Sequence, residues 1–135
     1  MYTELYGNHT EHTEFVQTLG WKPLKNPPTG SWSNKENCDM KFIDIRERIK
    51  FLKYGYGRAT DQLNIAIRMN EMSRAQALSI VKKIDGQVDG KNLNDFANFI
   101  DIQKEELIST IESFVNFNIF KRNEKNELSE LIERY

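Results

Sequence analysis

The residues best suited to chemistry lie in one short stretch, 51–61: Phe-Leu-Lys-Tyr-Gly-Tyr-Gly-Arg-Ala-Thr-Asp. Two glycines, two tyrosines, two cations and a carboxylate share it. Glycine lets a backbone turn sharply and approach a ligand closely. Lys53 and Arg58 supply donors matched to phosphate or carboxylate, and Asp61 can orient an arginine or hold a polar substrate. Tyr54 and Tyr56 offer faces on which a base or sugar can stack, or that simply pack. A tight turn between two helices, with its charges solvated, would carry the same residues.

Downstream, at ~100° per residue, Asp61, Asn64 and Arg68 fall on one face of a helix and Leu63, Ala66 and Ile67 on the opposite one. The apolar face docks to a core, so the polar face looks outward just past Lys53 and Arg58. The spacing therefore predicts that Lys53, Arg58, Asp61 and Arg68 gather around the 55–57 turn, with Asp61 hydrogen-bonded to an arginine. Close cations repel unless a carboxylate or a bound anion lies between them. A solvated helix face gives the same pattern.

Other candidates are weaker. His9, Glu11, His12 and Glu14 read as surface polar residues rather than a metal cluster, so no metal site is expected. Cys38 has Asp39 beside it and no nearby histidine to activate a thiolate. Trp32 reads as an anchor for an extended arm. Residues 93–116 have a helix-turn-helix rhythm, but Glu105, Glu106 and Glu112 against Lys104 would repel a phosphate backbone.

The elements that must position these groups are helical. Residues 1–37 show little apolar periodicity and form an expected irregular arm, with a short helix at 13–19 closed by Gly20. The Asn26-Pro27-Pro28-Thr29-Gly30-Ser31 run can continue neither a helix nor a central strand. Residues 38–135 form an expected helical domain. Phe42, Ile45, Ile49 and Leu52 make one stripe, ended by Gly55 and Gly57. A second helix runs over 59–69, and a third starts at the capping box Ser73-Arg74-Ala75-Gln76, with Ala77, Ile80, Val81 and Ile84 as its stripe. A loop at 87–92 precedes helices at 93–99 and 103–116, and an amphipathic segment at 124–134 closes the chain. The fold class is all-α, a small bundle of five to six helices behind an irregular arm.

At 135 residues the chain is one domain with a modest core. Nineteen basic and 20 acidic residues give a net charge of −1, against a nucleic-acid partner. A lone cysteine fits a reducing compartment, and no apolar run approaches the ~20 residues of a membrane span. The expected location is cytoplasmic. Trp21, Leu24 and Trp32 lie on a segment without a core of its own, so an exposed apolar patch, or a homodimer covering it, is expected.

Lys53-Tyr54-Gly55-Tyr56-Gly57-Arg58-Ala59-Thr60-Asp61, followed by Ile67-Arg68 and Ser73-Arg74 with Ala77, resembles the C-terminal region of the N-acetyl sugar amidotransferases. These are ATP-dependent enzymes of bacterial lipopolysaccharide and surface-glycan synthesis. Phe96, Ile102 and the stretch from Phe114-Val115-Asn116 to Ile119-Phe120-Lys121 extend the likeness over about residues 36–122. The resemblance implies a PP-loop enzyme that activates the acetamido carbonyl of a nucleotide-linked sugar as an adenylate. Ammonia from a glutaminase partner then displaces AMP and leaves an acetamidino group. It implies catalytic roles for Lys53, Arg58 and Asp61, and substrate or phosphate contacts from Lys53, Tyr54, Gly55, Tyr56, Gly57, Arg58, Asn64 and Arg68. ATP with Mg2+ belongs to the full-length enzyme, and none is expected on this chain alone.

The departures are as informative. The family's Ser-Gly-Gly-x-Asp-Ser nucleotide loop is absent, as is the α/β pattern that would carry it. Gly55-Tyr56-Gly57 lacks the third glycine and preceding strand of a dinucleotide fingerprint. The expectation is a C-terminal piece, inactive without a missing N-terminal ATP domain. Gln62 stands where other polar residues are expected in the family, which leaves the sugar open. The alternative is a stand-alone helical protein-interaction module with no catalysis, whose glycine motif is only a turn.

Overall fold

The stripe Phe42, Ile45, Ile49 and Leu52 folds as the central helix of the protein, whose computed structural model describes residues 9–36, 39–124 and 128–130. In chain order the elements are α1 (His9–Thr18), α2 (Ile43–Tyr54), α3 (Arg58–Arg68), α4 (Arg74–Ile84), α5 (Gly90–Phe99), α6 (Lys104–Glu112), β1 (Phe120–Arg122) and β2 (Leu128–Glu130). The class is all-α. The expected amphipathic segment 124–134 lies only partly within the described residues, and there 128–130 is a strand. It pairs antiparallel with β1, Lys121 opposite Ser129. No helix among the described residues is long and apolar enough to cross a membrane.

Local signals set several helix ends. Gly55 closes α2 in the left-handed region (φ 81°), its N–H donating to Phe51 O at 2.7 Å. Ser73 and Gln76 form the expected reciprocal cap of α4. Asp89 caps α5 by accepting from the Lys91 N–H at 2.7 Å, which starts that helix at Gly90, inside the expected 87–92 loop. Helix α6 stops at Glu112 rather than at 116. Asn116 is drawn away: its backbone N–H donates to Leu52 O (3.0 Å) and its side-chain amide to Lys53 O (3.2 Å). Those are orphan carbonyls at the end of α2, and satisfying them outweighs another turn of helix.

Two clusters make the core. Ile45 and Leu52 of α2 pack with Leu93, Ala97, Leu107, Ile111, Val115 and Phe120, while Leu63 of α3 packs with Ala77 and Val81 of α4. Asp44, fully buried, fastens α2 to α5 by accepting from the Asp89 N–H (2.9 Å) and the Asn92 amide (3.1 Å). Gly86 joins the halves. A Cβ there would stand 2.4 Å from the Phe51 ring, and its φ of 73° already favours glycine. Arg48 donates to Gly86 O at 2.9 Å; burial lowers its guanidinium below the ordinary arginine value, and Glu112 partly opposes that.

After α1, the arm is irregular, and it is tied down. Leu24 and Asn34 bond each other twice (3.0 and 2.7 Å), and Gly30 lies so close to Gln87 that a Cβ would meet its carbonyl at 2.8 Å. Phe15 and Leu19 remain exposed.

Candidate functional site

The 55–57 turn links α2 to α3 and presents the amides of the first turn of α3 to one spot. Such a helix N-terminus is an anion site, and here the chain's own carboxylate occupies it. Asp85, at the end of α4, accepts from Gly57 N–H (2.9 Å), Thr60 Oγ1 (2.6 Å) and, at longer range, Thr60 N–H (3.4 Å). Gly57 must be glycine for this: a Cβ would meet Asp85 Oδ1 at 2.7 Å.

The sequence-predicted residues divide into three groups around that turn. Lys53, Tyr54 and Tyr56 form an outward edge. The Lys53 ammonium lies 5.8 Å from the Tyr54 ring and 5.4 Å from the Phe114 ring, and Tyr54 and Tyr56 are 6.4 Å apart. Tyr54 is 59% exposed. Arg58 and Asp61 turn inward and pair with residues outside the motif. Arg58 Nη2 donates to Glu36 Oε2, and Asp61 is bonded to Lys50 rather than to an arginine. Asn64 and Arg68 are exposed further along α3, and Arg68 lies about 15 Å along the helix from Arg58.

Lys50 is the hub of the inward group. Its ammonium holds Asp61, lies 3.5 Å from the buried Glu47 carboxylate and sits 4.7 Å from the Tyr56 ring. Burial alone would lower its pKa; the Asp61 hydrogen bond and the charges of Glu47 and Asp61 outweigh that and raise it. Among the described residues, no three His, Cys, Asp or Glu side chains come together as a metal site.

On the other side of Arg58 the arm crosses α3. Gln62 is only 4% exposed, and its side-chain oxygen accepts from both Trp32 N–H (2.7 Å) and Ser33 N–H (3.1 Å) while its amide donates to Glu36 Oε2 (3.0 Å). One glutamine thus fixes the bend of the arm and the carboxylate that holds Arg58. Between arm and helix lies a pocket of about 340 Å³, with Trp32, Glu36, Gln62, Ile65 and Glu71 in its wall. The arm is tied to α3 through the backbone N–H of Trp32, whereas Trp32 itself, the expected apolar anchor, is 37% exposed beside the pocket. Sequence reasoning did not single out Glu36, Lys50, Glu71 or Asp85. For Asp85 the available signal was a carboxylate between a helix end and a glycine, which reads equally as a plain helix stop.

This is a helical domain whose glycine motif is braced from within and presents a lysine–tyrosine edge outward. Residues 31–134 match the family of the LPS biosynthesis protein WbpG-like C-terminal domain, and the chain belongs to that family. It is thereby placed among proteins of lipopolysaccharide biosynthesis. The match takes in the arm segment that walls the pocket as well as the 51–61 motif. No curated protein and no solved structure matches the chain.

Proposed function

We infer that this chain is the C-terminal helical part of an N-acetyl sugar amidotransferase, which exchanges the carbonyl oxygen of a sugar acetamido group for NH. Asp85 fills the amide cradle of the 55–57 turn and leaves that cradle no room for a phosphate of ATP. The nucleotide is therefore assigned to a separate ATP domain, and ammonia to a glutaminase partner. In this reading the domain contributes Lys53, exposed at the edge, and Arg58, fixed inward by Glu36, as positive charges beside an anionic centre. The observation that carries the reading is the family membership together with the outward Lys53, Tyr54 and Tyr56 edge. Arg58 and Asp61 hold their place through Glu36 and Lys50.

The test is Arg58→Ala in the enzyme that joins this domain to its ATP domain. Amidination should fall by something like 10²–10³, the scale of one lost preorganised donor, in a variant that still folds. A folded Arg58→Ala enzyme working at the parent rate would reduce the motif to a turn. The second reading, a protein-interaction module without catalysis, draws on the exposed rings of Tyr54, Phe114 and Phe117. It would gain if the Arg58 variant kept full activity while substitution of Phe117 released a partner.

A further inference from the structure

The pocket between the arm and α3 has a chemistry distinct from that of the glycine motif. Its wall joins Trp32, 37% exposed, and Ile65 to Ser33, Glu36, Gln62 and Glu71. Charge nearly balances there: Lys35 lines the pocket with Glu36 and Glu71, and Arg58 neutralises Glu36 from behind. Neither a phosphate nor an ammonium ion gains from entering such a site. Hydrogen-bonding capacity remains. The Gln62 amide carries two N–H groups and spends one on Glu36, and the Ser33 hydroxyl accepts from Lys35 N–H at 3.1 Å, which leaves its own proton to donate. A pocket of about 340 Å³ is at the small end of the ~300–1,000 Å³ typical of ligand sites.

We propose that this pocket binds the pyranose ring of a neutral sugar, stacked on Trp32 and hydrogen-bonded to Ser33, Gln62 and Glu71. The C–H face of a pyranose packs on an indole. Its hydroxyl and amide oxygens accept from Gln62 and Ser33, and its hydroxyl protons face the carboxylates. The chemistry of the pocket stands by itself; choosing an N-acetylated hexosamine as the first probe rests on the amidotransferase reading.

The experiment is a titration of the isotopically labelled 135-residue chain with N-acetylglucosamine, and separately with UDP, followed by NMR. The expected result is saturable movement of the Trp32 indole N–H and Gln62 amide signals with the sugar, with Kd on the order of 1 mM, and none with UDP. Trp32→Ala should weaken binding about tenfold or more, the scale of one lost aromatic contact with its buried area. Ile65→Arg, at an exposed helix position that leaves folding intact, should block the pocket. Unmoved Trp32 and Gln62 signals, equal binding in the Ile65 variant, or the same signals moved by UDP alone would each overturn the proposal. The titration uses neither ATP nor ammonia. Its failure therefore leaves the amidination reading standing, and failure of amidination leaves the pocket standing.

Discussion

Replacing Asp85 by alanine removes the carboxylate that caps α3 from across the fold. The loss can be built from its contacts. Gly57 N–H and Thr60 Oγ1 lose an acceptor at 2.9 and 2.6 Å, the Thr60 N–H contact at 3.4 Å being too long to add much. Losing a helix N-cap costs about 1 kcal/mol, with a range of roughly 0.5–2. The negative charge beside the helix N-terminus adds about 0.3–1 kcal/mol. The sum is about 2 kcal/mol, which for a domain of this size lowers Tm by roughly 6–10 °C. Asp85→Asn keeps an acceptor oxygen and loses mainly the charge, so its Tm should fall by only about 2 °C. Circular dichroism melts of parent and variants measure both. A further signature separates this mechanism from general damage: added phosphate should raise the Tm of Asp85→Ala, whose helix N-terminus is vacated, and leave the parent unchanged. An Asp85→Ala melt that coincides with the parent's, or that ignores phosphate, would refute the reasoning.

Gly86→Ala should destabilise by more than about 2 kcal/mol, since the added methyl must displace the Phe51 ring at a positive φ; chemical denaturation reads this directly. Gln62→Leu strands the Trp32 and Ser33 N–H groups and should cost about 1–3 kcal/mol, with faster hydrogen exchange at those two amides as its local sign. The Lys50 pKa is raised in the folded state, so its stabilisation is complete below the ordinary lysine value of 10.5 and is lost as pH rises through the higher folded value. Alkaline unfolding should therefore weaken the parent progressively above that pH, and Lys50→Met should flatten this part of the profile.

What could be read before folding was local. The stripe of α2, the Ser73 cap and the opposed faces of α3 depend on residues three or four apart, and they stand as expected. The site's partners act across distance. Asp85 meets Gly57 over 28 residues, and Gln62 meets Trp32 over 30. No periodicity encodes such pairs; the packing of α4 and the arm on α3 creates them. Asp61 shows the same limit at short range. Its partner Lys50 stands one residue outside the motif, on the helix that the 55–57 turn links to α3. The three-residue strands at 120–122 and 128–130 have too few positions to show an alternation, and only their pairing defines them.

The central claim is that this domain serves an enzyme converting a sugar acetamido group to an acetamidino group. Its most direct test is mass spectrometry of a nucleotide-linked N-acetyl sugar incubated with the enzyme containing this domain, ATP, Mg2+ and ammonia, with AMP counted in the same reaction. The predicted product is lighter by the difference between oxygen and NH, forms only when both ATP and ammonia are present, and appears with one AMP for each sugar converted. Sugar recovered unchanged across a panel of N-acetylated nucleotide sugars, from an enzyme that is folded and binds ATP, would contradict the account.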